Sequence, residues 1–308
     1  MTAVIRTESL TKMYGIHRGI TKLDLDVQEG EIFGFLGPNG AGKTTTMRVL
    51  LDLIRPTSGR AEVFGIETTA DPVAIHRRVG YLPGEFDLYD RLSGADTLTY
   101  FANLRGGVDR AYVAQLIERL GLDPSRRFRE YSKGNKQKVG LIVALQHKPD
   151  LLILDEPTAG LDPLVQQTFF AIAREARADG RTIFLSSHII DEVDRTCDRV
   201  AIIREGRLVQ VDRIEAIRRL AFHHVELVFA APVVVPVATG IFQAIEGVSD
   251  VAIEGSVVRM RVNGPIGGVI AAAAPHGLID VVSREPNLED VFLAQYGHGP
   301  ATVEAVER

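Results

Sequence analysis

The chain of 308 residues holds one cysteine, Cys197, so no internal disulfide can form. That scarcity fits a reducing compartment. Cys197 falls in a stretch expected to be helical (189–197), where a buried structural thiol is the expectation rather than a reactive one. Positive charge is not in excess: 35 Lys and Arg against 40 Asp and Glu leave a net charge of -5. A weakly acidic chain has no global field to steer it toward nucleic acid. The first ten residues, MTAVIRTESL, lack the long apolar core of a signal peptide. No apolar run is long and unbroken enough to cross a membrane. The nearest candidate, 225–245, is interrupted by Glu226, Pro232, Pro236 and Gly240, which suggests a strand, a turn and a helix start. If the protein works at a membrane, other chains must cross it. Repeats, low-complexity tracts and coiled-coil heptads are also missing, and in the C-terminal region no Cys or His cluster suggests a metal. What is there is ordinary for a globular protein: 45% hydrophobic and 24% charged residues, ample for a sizeable core in one large or two smaller domains.

Residues 37–45 read GPNGAGKTT and follow a short apolar run, 31–36 (EIFGFL). They fit G-x-x-x-x-G-K-[ST] with Gly37, Gly42, Lys43 and Thr44 in register, and the next residues (45–54) are apolar at helical spacing. Strand, glycine loop and helix together make a phosphate cradle. Glycines let the backbone curl around an anion with its N–H groups turned inward, and the helix start adds partial positive charge. Lys43 is placed to reach the β- and γ-phosphates and the Thr44 hydroxyl to bind Mg²⁺.

Residues 4–212 alternate between strand-like runs (31–36, 60–64, 79–82, 151–154, 182–186, 199–203, 208–211) and helix-like runs (44–54, 95–105, 112–120, 132–147, 164–178, 189–197). That order predicts an α/β domain with a largely parallel sheet. The strand-free stretch at about 90–147 reads as a helical lobe. The character changes near residue 213. Beyond a short basic helix (213–220), the order strand (225–229), helix (241–246), strand (248–254), strand (256–262), helix (266–274), strand (278–283) suggests a small α+β, split-βαβ domain. A last helix is expected at 288–296 with Asn287 as its N-cap. The expected division is 1–215, 216–298 and a frayed tail, 299–308.

Residues 151–157 read LLILDEP, an apolar strand ending in two carboxylates. Asp155 is placed to hold Mg²⁺ and Glu156 to orient the attacking water. Three further pieces follow in order: YSKGNKQK (131–138), AGLDP (159–163) and SSH (186–188). With these motifs in this spacing, about the first two-thirds of the chain resembles the ATPase subunits of ABC transporters, a P-loop NTPase fold.

That resemblance implies the following roles. Tyr14 would stack on adenine, and Gly37, Pro38, Asn39, Gly40, Ala41, Gly42, Lys43, Thr44 and Thr45 would bind ATP. Thr44 and Asp155 would serve Mg²⁺, Glu156 the water, and His188 the γ-phosphate. Asp162 would sit at a dimer seam. Ser132, Lys133, Gly134 and Asn135 stand where the family usually has SGGQ, and Tyr131 where it has Leu. Ser132 can still cap the following helix, whose free N–H groups can face a γ-phosphate. In the family this segment completes the partner's site, so a head-to-tail dimer with a second copy or a homologous subunit is implied. A larger departure lies at 80–89, GYLPGEFDLY, where Gly84 takes the place of the usual Gln and Glu85 follows. The expectation is that Glu85 takes over part of the linkage from the metal and water to the membrane subunits.

The text EPNLEDVFL (285–293) after a small α/β domain looks like exporter ATPases that pair with ABC-2-type permeases, including drug and antibiotic efflux systems. The implied place is the cytoplasmic side of the membrane, with no nucleic acid partner. Two alternatives stay open: a soluble ATPase of the superfamily, and a nucleotide-dependent switch without hydrolysis.

Overall fold

The computed structural model describes residues 3–85, 90–219, 223–232 and 240–284. It divides into two compact units, Met1–Arg213 and Ile214–Arg308, a boundary two residues before the expected one. The last expected helix, its cap Asn287, the EPNLEDVFL text and the tail all lie outside the described residues.

In the first unit the strands form two sheets. Strands β1 (Ala3–Tyr14) and β2 (His17–Gln28) pair antiparallel. Together with β4 (Ser58–Val63) and β5 (Ile66–Glu67) they make a four-stranded sheet of order β2-β1-β4-β5. The sequence reading has neither β1 nor β2. In β2 the signal is legible afterwards: Leu23, Leu25 and Val27 are buried and alternate with Asp24 and Asp26. In β1 the register shifts repeatedly against β2, and the shifts break the period of two on which such recognition depends.

The second sheet holds six strands. These are β3 (Ile32–Leu36), β6 (Val79–Leu82), β7 (Leu151–Asp155), β8 (Thr182–Ser187), β9 (Arg199–Arg204) and β10 (Arg207–Arg213). Their order is β10-β9-β3-β8-β7-β6. All neighbours are parallel except β10, which returns antiparallel against β9 through a tight turn. Every residue of β3 and β7 is buried, so these strands read as continuous apolar runs, as central parallel strands do. Glycine 34 keeps β3 close to helix α7 (Ile190–Thr196): a Cβ there would lie 2.7 Å from Val193 Cγ1 and 3.0 Å from Cys197 Sγ. Burial pushes the Cys197 thiol well above its ordinary pKa.

The remaining helices of this unit are α1 (Lys43–Leu50), α2 (Pro72–Arg78), α3 (Gly94–Leu104), α4 (Arg110–Leu120), α5 (Lys133–Leu145) and α6 (Pro163–Ala178). Helix α1 stops well before the expected residue 54, because Asp52 adopts a left-handed conformation (φ 52°) that no α-helix continues through. Helix α2, which was not expected, starts where Asp71 caps the Ala74 amide ahead of Pro72. Helices α3 to α5 fall within the expected lobe.

The second unit contains α8 (Ile214–Arg219), β11 (His223–Phe229), a helical turn at 240–243, β12 (Val248–Glu254), β13 (Val257–Val262), α9 (Gly267–Ala273) and β14 (Leu278–Arg284). The sheet order is β12-β13-β11-β14, antiparallel throughout, as a split-βαβ chain order requires. Its core joins Val225, Leu227 and Phe229 to Val258, Met260, Phe242 and Val269. The other face carries ion pairs from Arg259 to Glu226 and Glu254. Of the apolar stretch 225–245, the first part is strand β11 and the last part the helical turn. No helix among the described residues is long and apolar enough to cross a membrane.

Candidate functional site

Because β6, β7, β8 and β3 run parallel and side by side, their carboxyl ends open at one edge of the sheet. Four sequence motifs spread from residue 37 to residue 188 meet there for that reason. The glycine loop leaves β3 and enters α1. At its start the Gly37 N–H donates to the Ser187 carbonyl, 3.2 Å, which ties the loop to β8. Gly42 has φ 111°, outside the range of ordinary side chains, and a Cβ there would lie 2.8 Å from the Gly19 carbonyl oxygen. The N–H groups of the first helical turn have no intrahelical acceptor, so they are free to face an anion.

A cavity of about 400 Å³ opens beside this loop. Pro38, Asn39, Gly40, Gly42, Lys43, Thr44 and Thr45 line it, together with Tyr14, Gly84, Glu85, Asp155 and Glu156. Gly37 and Ala41 do not. A Cβ at Gly37 would lie 2.3 Å from the Ile203 carbonyl oxygen. Ala41 is buried, its N–H donates to the Pro38 carbonyl and its carbonyl accepts from Gly206. Those two residues shape the loop from behind.

Lys43, only 6% exposed, donates to the Gly37 carbonyl at 2.6 Å, and its ammonium lies 3.1 Å from Glu156 Oε1. The Thr44 hydroxyl donates to Asp155 Oδ2 at 2.6 Å. The Ser186 hydroxyl donates to Asp155 Oδ1 at 2.5 Å and accepts from the Glu156 N–H at 3.0 Å. His188 Nδ1 lies 2.8 Å from Glu156 Oε2. A carboxylate only accepts, which assigns the proton to Nδ1 and leaves Nε2 as the free nitrogen. Tyr14 is 45% exposed at the rim, its hydroxyl 3.5 Å from Thr45 Oγ1. Burial and the nearby Asp155 carboxylate raise the pKa of the Tyr81 phenol, on β6.

A hydroxyl and a carboxylate side by side are hard oxygen donors. Magnesium takes that kind of pair, with water and phosphate oxygens filling its other positions. No group of three His, Cys, Asp or Glu side chains that could hold a metal occurs among the described residues.

The remaining expected residues are elsewhere. Ser132 caps α5, accepting from the Asn135 N–H at 3.3 Å, and Tyr131 is buried with its hydroxyl on the Asp123 carbonyl. Gly134 abuts Gly160: a Cβ there would lie 2.4 Å from the Gly160 carbonyl oxygen. The Lys133 side chain lies alongside the same glycine. Asp162 caps α6, accepting from the N–H groups of Leu164 and Val165. None of these lines the cavity.

Four contributors carried no role in the sequence reading. Arg18 and Arg48 line the cavity. Arg18 pairs with Glu205 at 3.3 Å, a contact across 187 residues that only folding reveals. Ser186 and Gln137 support the acidic pair from behind. Gln137 was traceable, as a polar residue at helical spacing from Leu141 and Ala144 on the apolar face of α5.

The sequence pattern of the ABC transporter family matches residues 20–159. The bacitracin transport ATP-binding protein BcrA of Enterococcus faecalis is 33% identical over 305 residues, which is 97% of this chain and 98% of that protein. The daunorubicin resistance ATP-binding protein DrrA2 of Streptomyces coeruleorubidus is 31% identical over 98% of each chain. Among solved structures, an ATP binding subunit of an ABC transporter superposes with a TM-score of 0.65 at 30% identity, covering 70% of this chain and 92% of that one. With a cradle and an acidic pair lining one cavity, a histidine outside that lining bonded to the second carboxylate, and likeness running through both units, the chain belongs to the ATP-binding proteins of ABC transporters and is an ATPase.

Proposed function

We propose that this ATPase drives efflux of a drug- or antibiotic-like compound through separate ABC-2-type transmembrane subunits, from the cytoplasmic side of the cell membrane. Support for the exporter reading comes from the relatives, named for bacitracin transport and daunorubicin resistance. The hydrolytic reading rests on one observation: Glu156 is held between Lys43 and His188 beside the Thr44–Asp155 pair. That arrangement suits in-line attack of water on a γ-phosphate, where positioning and fixed charge supply most of the catalysis. Lys43 and the loop amides hold the phosphates, and Tyr14 offers a ring face to adenine. Thr44 and Asp155 hold the magnesium ion, which neutralises phosphate charge when bound. Glu156 orients the water. His188 turns Nε2 toward the phosphate, where an imidazolium donates a hydrogen bond and a neutral ring of this tautomer accepts one.

Ser132, Lys133, Gly134 and Asn135 serve the partner subunit's nucleotide in a head-to-tail dimer, and Asp162 lies at the seam between the two copies. Gly84 brings its backbone directly against Asp155, since a Cβ there would lie 3.1 Å from Oδ2. The next side chain, Glu85, then provides the link toward the permease. If Glu85→Ala leaves transport and ATPase rates unchanged, that assignment is wrong.

The deciding experiment pairs Mg·ATP titration with turnover in wild type and Glu156→Gln. Binding persists and most hydrolysis is lost if Glu156 serves the water. Parental turnover in Glu156→Gln removes the assignment, and no affinity for Mg·ATP in folded protein removes the whole reading. Copurification with an ABC-2-type permease from detergent-solubilised membranes tests the partner.

A further inference from the structure

Glu156 is held from behind as well as from the cavity side. It follows the last residue of β7 with φ 49°, a left-handed conformation uncommon for a residue with a long side chain. Such a conformation persists where neighbouring groups over-determine it. Here both of its peptide groups are tied. The N–H donates to Ser186 Oγ at 3.0 Å, and the carbonyl accepts from Gln137 Nε2 at 3.0 Å. The same Gln137 amide donates to the Pro157 carbonyl at 3.1 Å. One NH₂ group carries two protons, so it serves both carbonyls at once.

Gln137 is 4% exposed, so water does not substitute for these bonds. Its helix is anchored by the buried residues Val139, Leu141, Ile142 and Leu145. The amide is therefore fixed relative to the helix. That helix begins at Ser132 and carries Gly134, which abuts Gly160. The segment around Glu156 thus contacts α5 at two places, one helical turn apart.

We propose that Gln137 is a positioning residue for ATP hydrolysis: its side-chain amide fixes the Glu156 peptide in the left-handed conformation and ties that carboxylate to the start of α5. The inference rests on the reading that Glu156 orients the attacking water. Its consequence is mechanical. The helix start that faces one nucleotide is coupled to the carboxylate that serves the other, so a shift of α5 moves Glu156. Nucleotide binding depends on it less, because Lys43 pairs with Glu156 but is also held by the loop carbonyls of Gly37 and Pro38, which α5 does not touch.

The test uses the full chain with Gln137→Met, which keeps the side-chain length and removes the donors. A displacement of about 1 Å in a catalytic group lowers rates on the order of 100-fold, so kcat is expected to fall about 10- to 100-fold. The Kd for Mg·ATP should stay within about twofold, as expected for an interaction that matters only in the transition state. Deuterium exchange of the amides of Glu156 and of residues 158–161 should quicken without nucleotide. In a Glu156→Gln background the same substitution should lower turnover no further, because the two residues act as one unit.

Parental kcat in Gln137→Met overturns the proposal. A parallel loss of kcat, ATP affinity and melting temperature also overturns it, since that describes a general packing role. If the methionine variant does not fold, Gln137→Glu is read in the same way, being isosteric and, when ionised, without a donor. Absence of turnover in the parent itself counts against the hydrolytic reading, while the exchange measurement still reports on the clamp.

Discussion

Substituting alanine for Gly134 adds one carbon atom where none fits. Its Cβ would lie 2.4 Å from the Gly160 carbonyl oxygen, about 1 Å inside ordinary contact, which begins near 3.4 Å. The obstacle is backbone, so a rotamer change cannot relieve it. Two effects oppose each other in stability. Alanine is favoured over glycine by about 1 kcal/mol in a helix interior and by less in the first turn, where Gly134 lies, while overpacking of one methyl costs about 1–3 kcal/mol. The net loss is therefore about 0–3 kcal/mol, a melting shift of at most about 12 °C for a unit of this size. Function should respond far more. The displacement falls on the start of α5 and on the segment after Glu156, both expected to act within about 1 Å tolerance, so turnover should drop on the order of 100-fold. Mg·ATP affinity should change less, because Lys43 also rests on the Gly37 carbonyl and Thr44 on Asp155, which precedes the displaced segment. Steady-state ATPase assays, equilibrium titration and thermal melts on one preparation separate these outcomes. Full turnover by Gly134→Ala would refute the claim that this contact is tight and functional.

Three other substitutions or probes address separate parts of the molecule. Thr44→Val removes the hydroxyl that donates to Asp155 Oδ2. Leaving a buried carboxylate oxygen unpaired costs about 1–3 kcal/mol of stability, and the magnesium dependence of ATP binding should weaken; a parental magnesium titration would contradict the role. His147 is held neutral by burial, with the charge of Arg105 as a second cause, and its pKa falls from 6.5 to about 4. The unfolded chain therefore takes up the proton first, so this stability is present above pH 6.5 and is lost as pH falls toward 4. Full separation of those values is worth about 3 kcal/mol, which partial solvent exposure reduces to about 1–2 kcal/mol. Melting curves of His147→Gln across this range should lack that increment. Finally, Cys197, buried and with a raised pKa, should not react with a thiol reagent in the native protein and should react once in denaturant; rapid native labelling would contradict its burial.

The sequence by itself determined the chemistry and most of the α/β order. A glycine loop between a strand and a helix, two carboxylates ending an apolar strand and a histidine ending the next are local patterns, each carried by a few adjacent residues. Backbone freedom at Gly42, helix capping by Ser132 and burial of the strand 151–155 are properties of short segments, so they are legible without partners. Tertiary structure alone decided what those segments touch. The parallel order β3-β8-β7-β6 brings Thr44, Asp155 and Ser186 within hydrogen-bond reach across 111 and 31 residues. Folding also left Gly37 and Ala41 of the loop out of the cavity lining and brought Arg18 of β2 and Arg48 of α1 into it. In the antiparallel sheet, β1 escaped the sequence because its register shifts blur the alternation that marks a strand, whereas β2 carries that alternation from Leu23 to Val27 and was missed although legible. Gln137 shows the division most sharply. Its letter gave only a polar residue on an apolar helix face, and its meaning came from two carbonyls some 20 residues away that folding set before it. Hydrogen bonds between distant segments depend on distances that no local pattern contains, and for that reason Gln137 was traceable as an odd residue while the bonds by which it supports the site came only with the fold.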